Sequence, residues 1–294
     1  MNKVGFIGVG IMGKSMVRNL MKAGFELHIY ARTKSKVEDV ISEGAQFHES
    51  IKDCVQDCDA VITIVGFPQD VEEVYFDEGN ILDSAKKGAY LIDMTTTSPQ
   101  IAEKIYAEGT KRGFHVMDAP VTGGDTGAKA GTLSILVGGE KEDYEACMSL
   151  FEAMGTNINY QGKAGCGQHC KLANQIMIAG TLSGVCEALT YAKEQGLDPE
   201  VFMKSVATGA AGSKQLDTFG PKILKDDYAP GFFMKHFIKD MKLALIEANR
   251  KGLSLDVLSM VLANYEELEQ EGYGDLGTQA LMKFYDEEHR NTEE

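Results

Sequence analysis

Apolar residues fall along this chain in two rhythms, and the change between them divides it. Over the first half, short runs rich in β-branched and aromatic residues alternate with stretches where apolar positions recur every three or four residues. The runs are "KVGFI" at 3–7, "ELHIY" at 26–30, "DAVITIVG" at 59–66, "GAYLIDMTTTSP" at 88–99, "FHVMDAPV" at 114–121 and "TLSILVGG" at 132–139. Each reads as a strand. Helical spacing fills the gaps: Met16, Leu20 and Met21 before Gly24, then 69–76, then 99–112 with Ser98 before Pro99 as a cap candidate. Strands alternating with helices predict an α/β architecture with a mainly parallel, doubly wound sheet.

After Asn157 the strand patterns stop and helical periods run nearly to the end. "GKAGCGQHC" (162–170) reads as a glycine-rich hinge, and 166–195 as one long helix closed by Gly196, with Asp198-Pro199 opening the next. At 1.5 Å per residue such a helix is a rod of roughly 45 Å. Small residues lie on several of its faces (Ala173, Ala179, Gly180, Ser183, Gly184, Ala188), which predicts closely packed neighbouring helices. Its longest uncharged run, 172–186, is too short and too rich in small and polar residues to span a bilayer, and is expected to be buried. The acidic tail, 286–294, is expected to fray.

Gly8, Gly10 and Gly13 stand between the strand at 3–7 and the helix after it, as G-x-G-x-x-G. That context gives the motif its meaning: the first glycine makes a tight turn, the second lets backbone approach a pyrophosphate, and the third packs helix against strand. The helix N-terminus then offers free N–H groups to the phosphates. Gly8, Gly10, Ile11, Met12 and Gly13 are therefore candidate cofactor contacts. The first half, 1–163, becomes a Rossmann-type dinucleotide-binding domain, and 164–294 an all-α substrate and oligomerisation domain joined to it by the long interdomain helix.

At the end of the second strand, an NAD site would carry a carboxylate for the ribose 2′-hydroxyl. This chain has Ala31, Arg32, Thr33, Lys34 and Lys36 there, so Arg32 and Thr33 point to NADP (NADPH) in preference to NAD. A solvated basic helix start would leave the preference open. Val65, Gly66, Phe67 and the hydroxyls Thr95, Thr96 and Thr97 fall at the carboxyl ends of strands, where such sheets bind ligands. From sequence those hydroxyls suit helix capping and cofactor contact equally.

Composition narrows the partners. With 294 residues, the chain is long enough for one large or two ordinary domains. A net charge of −15 argues against a general nucleic-acid or anionic-membrane surface, without excluding an anionic ligand in a locally positive pocket. Six scattered cysteines and no signal peptide suggest free thiols in a reducing, cytoplasmic setting. Cys54/Cys58 and Cys166/Cys170 have helical offsets but lack the further ligands zinc needs, so no metal is expected.

Lys171, Asn174 and Gln175 fall at i, i+3 and i+4 of the long helix and share a polar face. A structural network and a chemical role are both open to such a trio.

"GFIGVGIMG", "DAPVTGGDTGAKAGTLSILVGG" (118–139), "GCGQHCKLANQ" and "HFIKDMKLAL" (236–245) stand in the order and spacing of the β-hydroxyacid dehydrogenase family. This is the group of 3-hydroxyisobutyrate dehydrogenase, tartronate semialdehyde reductase and the glyoxylate and succinic semialdehyde reductases, related to 6-phosphogluconate dehydrogenase. The resemblance covers essentially the whole chain. It implies an N-terminal dinucleotide domain, an all-helical C-terminal domain, and a site in the cleft between them.

The resemblance also implies roles. Lys171 would be the general acid/base, giving a proton to the carbonyl oxygen in reduction and taking one in oxidation. Asn174 would hydrogen-bond the substrate oxygen or orient the amine. Gln175 stands where many relatives have Asn, behind the first line of substrate contacts. Thr122, Gly123 and Gly124 match a Ser-Gly-Gly loop that would hold the carboxylate of a small substrate. Lys239 would reach toward cofactor and substrate, with Asp240 as its structural partner. The "TGAAGS" loop (208–213) reads either as a pocket wall, with Ser213 a polar contact, or as a helix connection.

The expected activity is NADP-dependent interconversion of a small β-hydroxyacid and its semialdehyde or oxo acid. Reduction of another carbonyl or an imine on the same scaffold is an alternative, although imine reductases of this kind generally lack the lysine. A catalytically silent dinucleotide-binding scaffold is another. Small-residue and Met-rich faces of the helical half suggest a homodimer or homotetramer.

Overall fold

In the computed structural model, which describes residues 1–285, the apolar runs of the first half form strands because both faces of each can be buried. They are β1 (Lys3–Ile7), β2 (Glu26–Tyr30), β3 (Gln46–Phe47), β4 (Ala60–Thr63), β5 (Tyr90–Asp93), β6 (His115–Asp118), β7 (Val121–Thr122), β8 (Leu133–Gly139) and β9 (Gly155–Gly162). Among the described residues they make one nine-stranded sheet. Six strands run parallel in the order β3-β2-β1-β4-β5-β6. β8 then pairs antiparallel with β6 and β7, and parallel with β9. The chain winds one way from β1 and the other way from β4, so the crevice beyond the carboxyl ends of β1 and β4 is the topological switch point.

Alternate residues supply two cores. Val4, Phe6, Ile29, Ile62 and Ile92 pack with Met16, Val17 and Leu20 of the helix Ile11–Lys22. On the other face Ile7, Val61, Leu91 and Val116 pack with Val55, Val71 and Ile105. Burying each such side chain stabilises by about 1.5–3 kcal/mol.

Two expectations about the end of this unit change. β9 carries the sheet to Gly162, past Asn157, where the apolar pattern predicts its end. The strand is mostly polar because half of its residues are exposed and only one is buried, so backbone pairing with β8, not side-chain patterning, defines it. The 162–170 segment is also not a hinge throughout: the helix Cys166–Glu194 already includes its last five residues. Left-handed glycines, Gly162 (φ 122°) and Gly165 (φ 87°), turn the chain into it.

The start of that helix is docked, not loose. Asp118, at the end of β6, accepts the Gly165 N–H at Oδ1 (2.7 Å) and the Gln168 N–H at Oδ2 (2.8 Å). It thus caps a helix nearly fifty residues downstream, satisfying amides that no preceding helical turn can pair. Gly167 makes this approach possible, since a Cβ there would lie 2.3 Å from the Leu136 carbonyl oxygen.

The chain divides into two compact units, Met1–Lys171 and Leu172–Glu294. That division falls inside the long helix, whereas the sequence suggests one just before it, between 163 and 164. In the second unit Leu172, Ala179, Leu182, Cys186 and Leu189 form a buried stripe that packs with Phe237 and Met241 of the helix Met234–Arg250. Leu262 and Tyr265 of the helix Asp256–Gln270 complete that core.

The long helix is not buried all round, contrary to expectation: Met177 and Tyr191 are 74% and 67% exposed, and nothing stands within 4 Å of a Cβ on Gly184. With 29 residues it is long and apolar enough to cross a membrane by length and composition, which the 172–186 run alone is not. Its apolar stripe is packed into protein, as in the core helix of a globular domain. Asp198 caps the next helix, Pro199–Val206, by accepting the Val201 N–H at 2.9 Å. The tail at 286–294 lies outside the described residues.

Replacing Gly167 tests the docked helix start. Gly167→Ala should destabilise the protein by about 1–3 kcal/mol, the usual cost of overpacking, read as a lower urea midpoint. Gly184→Ala, in open space, should leave the midpoint unchanged or raised.

Candidate active site

The first turn after β1 is shaped for a ligand phosphate. Gly8 adopts φ 99°, and a Cβ on it would sit 2.1 Å from the Ile64 carbonyl oxygen, so conformation and space both require glycine. A Cβ on Gly13 would lie 2.2 Å from the Gly8 oxygen. Gly10 differs, because a Cβ there would meet nothing within 4 Å. The protein has no packing need for glycine at this position; a group approaching the backbone from outside does. Gly10 is also the N-cap of the helix Ile11–Lys22, with no side-chain cap and no acidic residue in the first turn. The helix end keeps its positive dipole for an anion. Ile11, half exposed, flanks this turn, and Met12 packs inward against the sheet core. These residues fit the pyrophosphate of a dinucleotide.

Arg32 follows β2 with its side chain 76% exposed, and its guanidinium lies 3.3 Å from Asp70 Oδ1. Asp70 stands in the helix Pro68–Phe76, where its other oxygen accepts the Phe67 N–H at 2.9 Å. Sequence reading does not find this carboxylate, because the topology brings it from 38 residues away. An exposed pair of this kind is worth about 0–1 kcal/mol, so a ligand phosphate can compete for the guanidinium. Thr33 begins a short 3-10 turn without a side-chain cap bond.

Beyond β4 and β5 the expected contacts separate. Ser98 does the capping, accepting the Gln100 N–H. Thr95 is buried, and its hydroxyl accepts the Val65 N–H at 3.0 Å, tying together the chain ends after β4 and β5. Thr97 is fully buried, which leaves Thr96 as the partly accessible hydroxyl between them. Gly66 lies beside Val65 in the same post-strand segment. Beneath them Asp93 Oδ1 accepts from Thr63 Oγ1 (2.8 Å) and the Thr95 N–H (3.1 Å). Complete burial pushes this carboxyl up to about 6. Asp118, its register partner on β6, is also raised by burial, against which the Gly165 and Gln168 amides act.

Gln168 joins these parts, and nothing in its sequence position announces it. Its Nε2 donates to the Thr95 carbonyl (2.8 Å) and its Oε1 accepts the Thr97 N–H (3.0 Å). Lys171, one helical turn later, is buried with 7% of its surface exposed. Asn174 and Gln175 follow on the same continuous helix, at the spacing that gives the three one face.

In the helical unit, Asn174 Nδ2 donates to Gln175 Oε1 (2.9 Å), and Gln175 Nε2 donates to Asp240 Oδ2 (2.8 Å). The Lys239 ammonium sits 3.1 Å from Asp240 Oδ1. Asp240 has no exposed surface, so cation and amide together offset the cost of its buried charge. Lys239 therefore has the structural partner expected of it. Gln175 joins that partner to Asn174, an arrangement suited to positioning more than to direct substrate contact. Ser213 accepts the Leu216 N–H at 3.1 Å as N-cap of the helix Lys214–Ile223, which is the helix-connection alternative for the 208–213 loop.

The 122–124 segment is a strand end running directly into a helix, Gly124–Ala130. Gly123 (φ 129°) and Gly124 (φ 62°) are both left-handed, a pair of conformations that other residues rarely adopt. Thr122 is half-buried at the end of β7, opposite Ser134.

Sheet order, glycine turn and uncapped helix define a dinucleotide-binding protein. Residues 3–162 match the family described as the NAD binding domain of 6-phosphogluconate dehydrogenase. Residues 165–285 match the NAD-binding domain of NADP-dependent 3-hydroxyisobutyrate dehydrogenase. The chain is 49% identical over 282 residues to an uncharacterized oxidoreductase of Bacillus subtilis, covering 96% of this chain and 98% of that protein. It is 37% identical over 253 residues to 2-hydroxy-3-oxopropionate reductase of Escherichia coli, covering 86% of each. The solved structure of Mycobacterium tuberculosis 3-hydroxyisobutyrate dehydrogenase with L-serine superposes with a TM-score of 0.88 at 26% identity, over 96% of this chain and 98% of that one. The chain belongs to the β-hydroxyacid dehydrogenase family, and is an NAD(P)-binding hydroxyacid dehydrogenase.

Asp93 gives this region a pH signature. Its folded value of about 6 lies above the ordinary 3.8, so the folded protein holds a proton that the unfolded chain has released. The resulting stability is fully present below about pH 4 and lost as pH rises through 6. At pH 8 the loss is on the order of 3 kcal/mol. The stability of Asp93→Asn relative to the parent should therefore rise between pH 5 and pH 8 in urea titrations. A difference independent of pH would contradict this.

Proposed function

We propose that this enzyme is an NADP-preferring oxidoreductase that interconverts a small β-hydroxyacid and its semialdehyde or oxo acid, with Lys171 as general acid/base. The observation that carries this reading is a buried lysine one turn after the capped start of the long helix. A buried lysine next to a segment that fits a dinucleotide is a candidate proton donor, because burial and neighbouring groups are what tune such an amine for proton transfer. Bound nicotinamide supplies the hydride chemistry, and the protein's part is to hold, orient and exchange a proton. In reduction, Lys171 Nζ gives its proton to the carbonyl oxygen as hydride reaches the carbon; in oxidation it takes the hydroxyl proton. Asn174, steadied by Gln175, hydrogen-bonds the reacting oxygen or the amine. Thr122 with the backbone amides of Gly123 and Gly124 holds the substrate carboxylate.

For the cofactor, Gly8, Gly10 and Gly13 with Ile11 and Met12 receive the pyrophosphate end. Arg32 and Thr33 receive the 2′-phosphate. Val65, Gly66, Thr95, Thr96 and Lys239 complete the set. The preference for NADP rests on a cation, in place of a carboxylate, directly after β2. Six free cysteines favour a reducing, cytoplasmic setting. Exposed apolar side chains of the helical unit, such as Met177, Val257 and Met260, favour a homodimer or homotetramer.

Lys171→Ala should lower kcat by about 10²–10⁴-fold, the usual contribution of a general acid, while NADPH still binds in a fluorescence titration. Glyoxylate and the succinic, tartronate and methylmalonate semialdehydes are the substrates to compare. Substantial residual turnover would remove Lys171 from its role. Arg32→Ala should weaken NADPH about tenfold, in line with losing one charge-assisted contact, and leave NADH within twofold. Equal weakening of both would contradict the 2′-phosphate assignment.

A further inference from the structure

Gln168 is fully buried and makes polar contacts in three directions. Its main-chain amide goes to Asp118, its Nε2 to the Thr95 carbonyl, and its Oε1 receives the Thr97 amide. The last two bonds form a two-point clasp across Thr96: the peptide groups on either side of that residue are both turned inward onto one carboxamide. Below the clasp, the Thr95 amide rests on Asp93 and its hydroxyl on the Val65 amide. The 95–97 segment is thus fixed from the sheet side and from the helix side. The side chain that fixes it from the helix side sits three residues before Lys171.

We propose that Gln168 is a positioning residue, whose carboxamide holds the cofactor-facing Thr95–Thr97 segment and the Lys171 turn in one frame, so that hydride donor and proton donor keep a set spacing. This rests on the reading of Lys171 and of the 95–97 segment given above. Proximity effects make the consequence large, because a misplacement of about 1 Å can cost on the order of 100-fold in rate. The chemistry also explains why a carboxamide is needed. Two separate atoms of one group must act here, one donating to the Thr95 carbonyl and the other accepting the Thr97 amide; a carboxamide has both, a hydroxyl has a single oxygen, and a hydrocarbon or an ionised carboxylate has no donor.

Two substitutions test it. Gln168→Met keeps length and apolar volume and removes both bonds. Thr97 amide exchange in the cofactor-free protein should accelerate at least tenfold, kcat should fall at least tenfold, and substrate KM should move less than threefold. The primary isotope effect with deuterated NADPH should also rise, since hydride transfer becomes rate-limiting.

Gln168→Glu supplies a readout that a purely structural role would not move. The introduced carboxyl can restore the clasp only when protonated, as donor to Thr95 and acceptor from Thr97. Asp118 accepts the main-chain amide of residue 168 and Asp93 accepts the Thr95 amide; once ionised, both carboxylates favour its protonated form, and Lys171, three residues along the helix, opposes this, as does any charge on His169. Its kcat should approach the parent's at low pH and fall away with rising pH, along a profile absent from the parent and from Gln168→Met.

Parent-like kcat and isotope effect in Gln168→Met would overturn the proposal, as would a Gln168→Glu profile that parallels the parent's. Lys171→Ala, measured alongside, separates the two ideas. Persistent activity there defeats the proton-donor reading itself, while amide exchange at Thr97 reports on the clasp whatever the chemistry.

Discussion

Asp118 meets the first turn of the long helix with both carboxylate oxygens, and the candidate site depends on that contact. Burial disfavours its charge, while two amide donors and the positive end of a 29-residue helix favour it. The joint needs room as well as charge. A Cβ on Gly138 would stand 2.6 Å from Asp118 Oδ1, and one on Gly167 would stand 2.7 Å from its main-chain oxygen. Strand end, strand glycine and helix glycine, far apart in sequence, therefore act as one fitting. The register of the helix against the sheet is set there, and Lys171 inherits it through a single turn.

The same logic of occupied and open space separates the three glycines of the nucleotide turn. Gly8 and Gly13 are demanded by the protein's own backbone, which would collide with any side chain. Gly10 is not, and its openness coincides with a helix N-terminus that no side chain caps. Folding alone would accept a residue with a side chain at position 10. What keeps the position open is chemistry the chain performs with something else, and the strand ends after β4 and β5 are tied together nearby by Thr95.

Much of this was legible in the sequence, for a local reason. Strand, glycine turn and helix are short-range patterns, so 3–31 can be read without knowing what packs against it. Lys171, Asn174 and Gln175 share a face by helical spacing alone. What escaped was long-range or backbone-driven. β9 is a polar, exposed strand recognised only by its pairing with β8. Residues 166–170 look like a hinge until Asp118, from β6, is seen to cap them. Asp70 reaches Arg32 through the turn of a different βα unit. Gln168 resembles any polar residue at a helix start, and its clasp on Thr95 and Thr97 exists only because the sheet delivers that segment to it. The exposed face of the long helix was misjudged because small residues suit close packing and open surface alike.

The departure at position 175 is where the structure adds most to the sequence reading. Glutamine's extra methylene lets its amide reach Asp240 while its oxygen receives the Asn174 side chain. Asp240 is fully buried and shared with Lys239, so the chain of contacts from Lys239 to Asn174 is anchored at its most costly charge. Asn174 thereby commits a donor to Gln175, so its carbonyl oxygen points away from that contact within the same amide plane. An acceptor there suits a hydroxyl or an ammonium and repels a carboxylate. The 122–124 segment is opposite in character, since two left-handed glycines there turn backbone amides, which are donors, into a helix start.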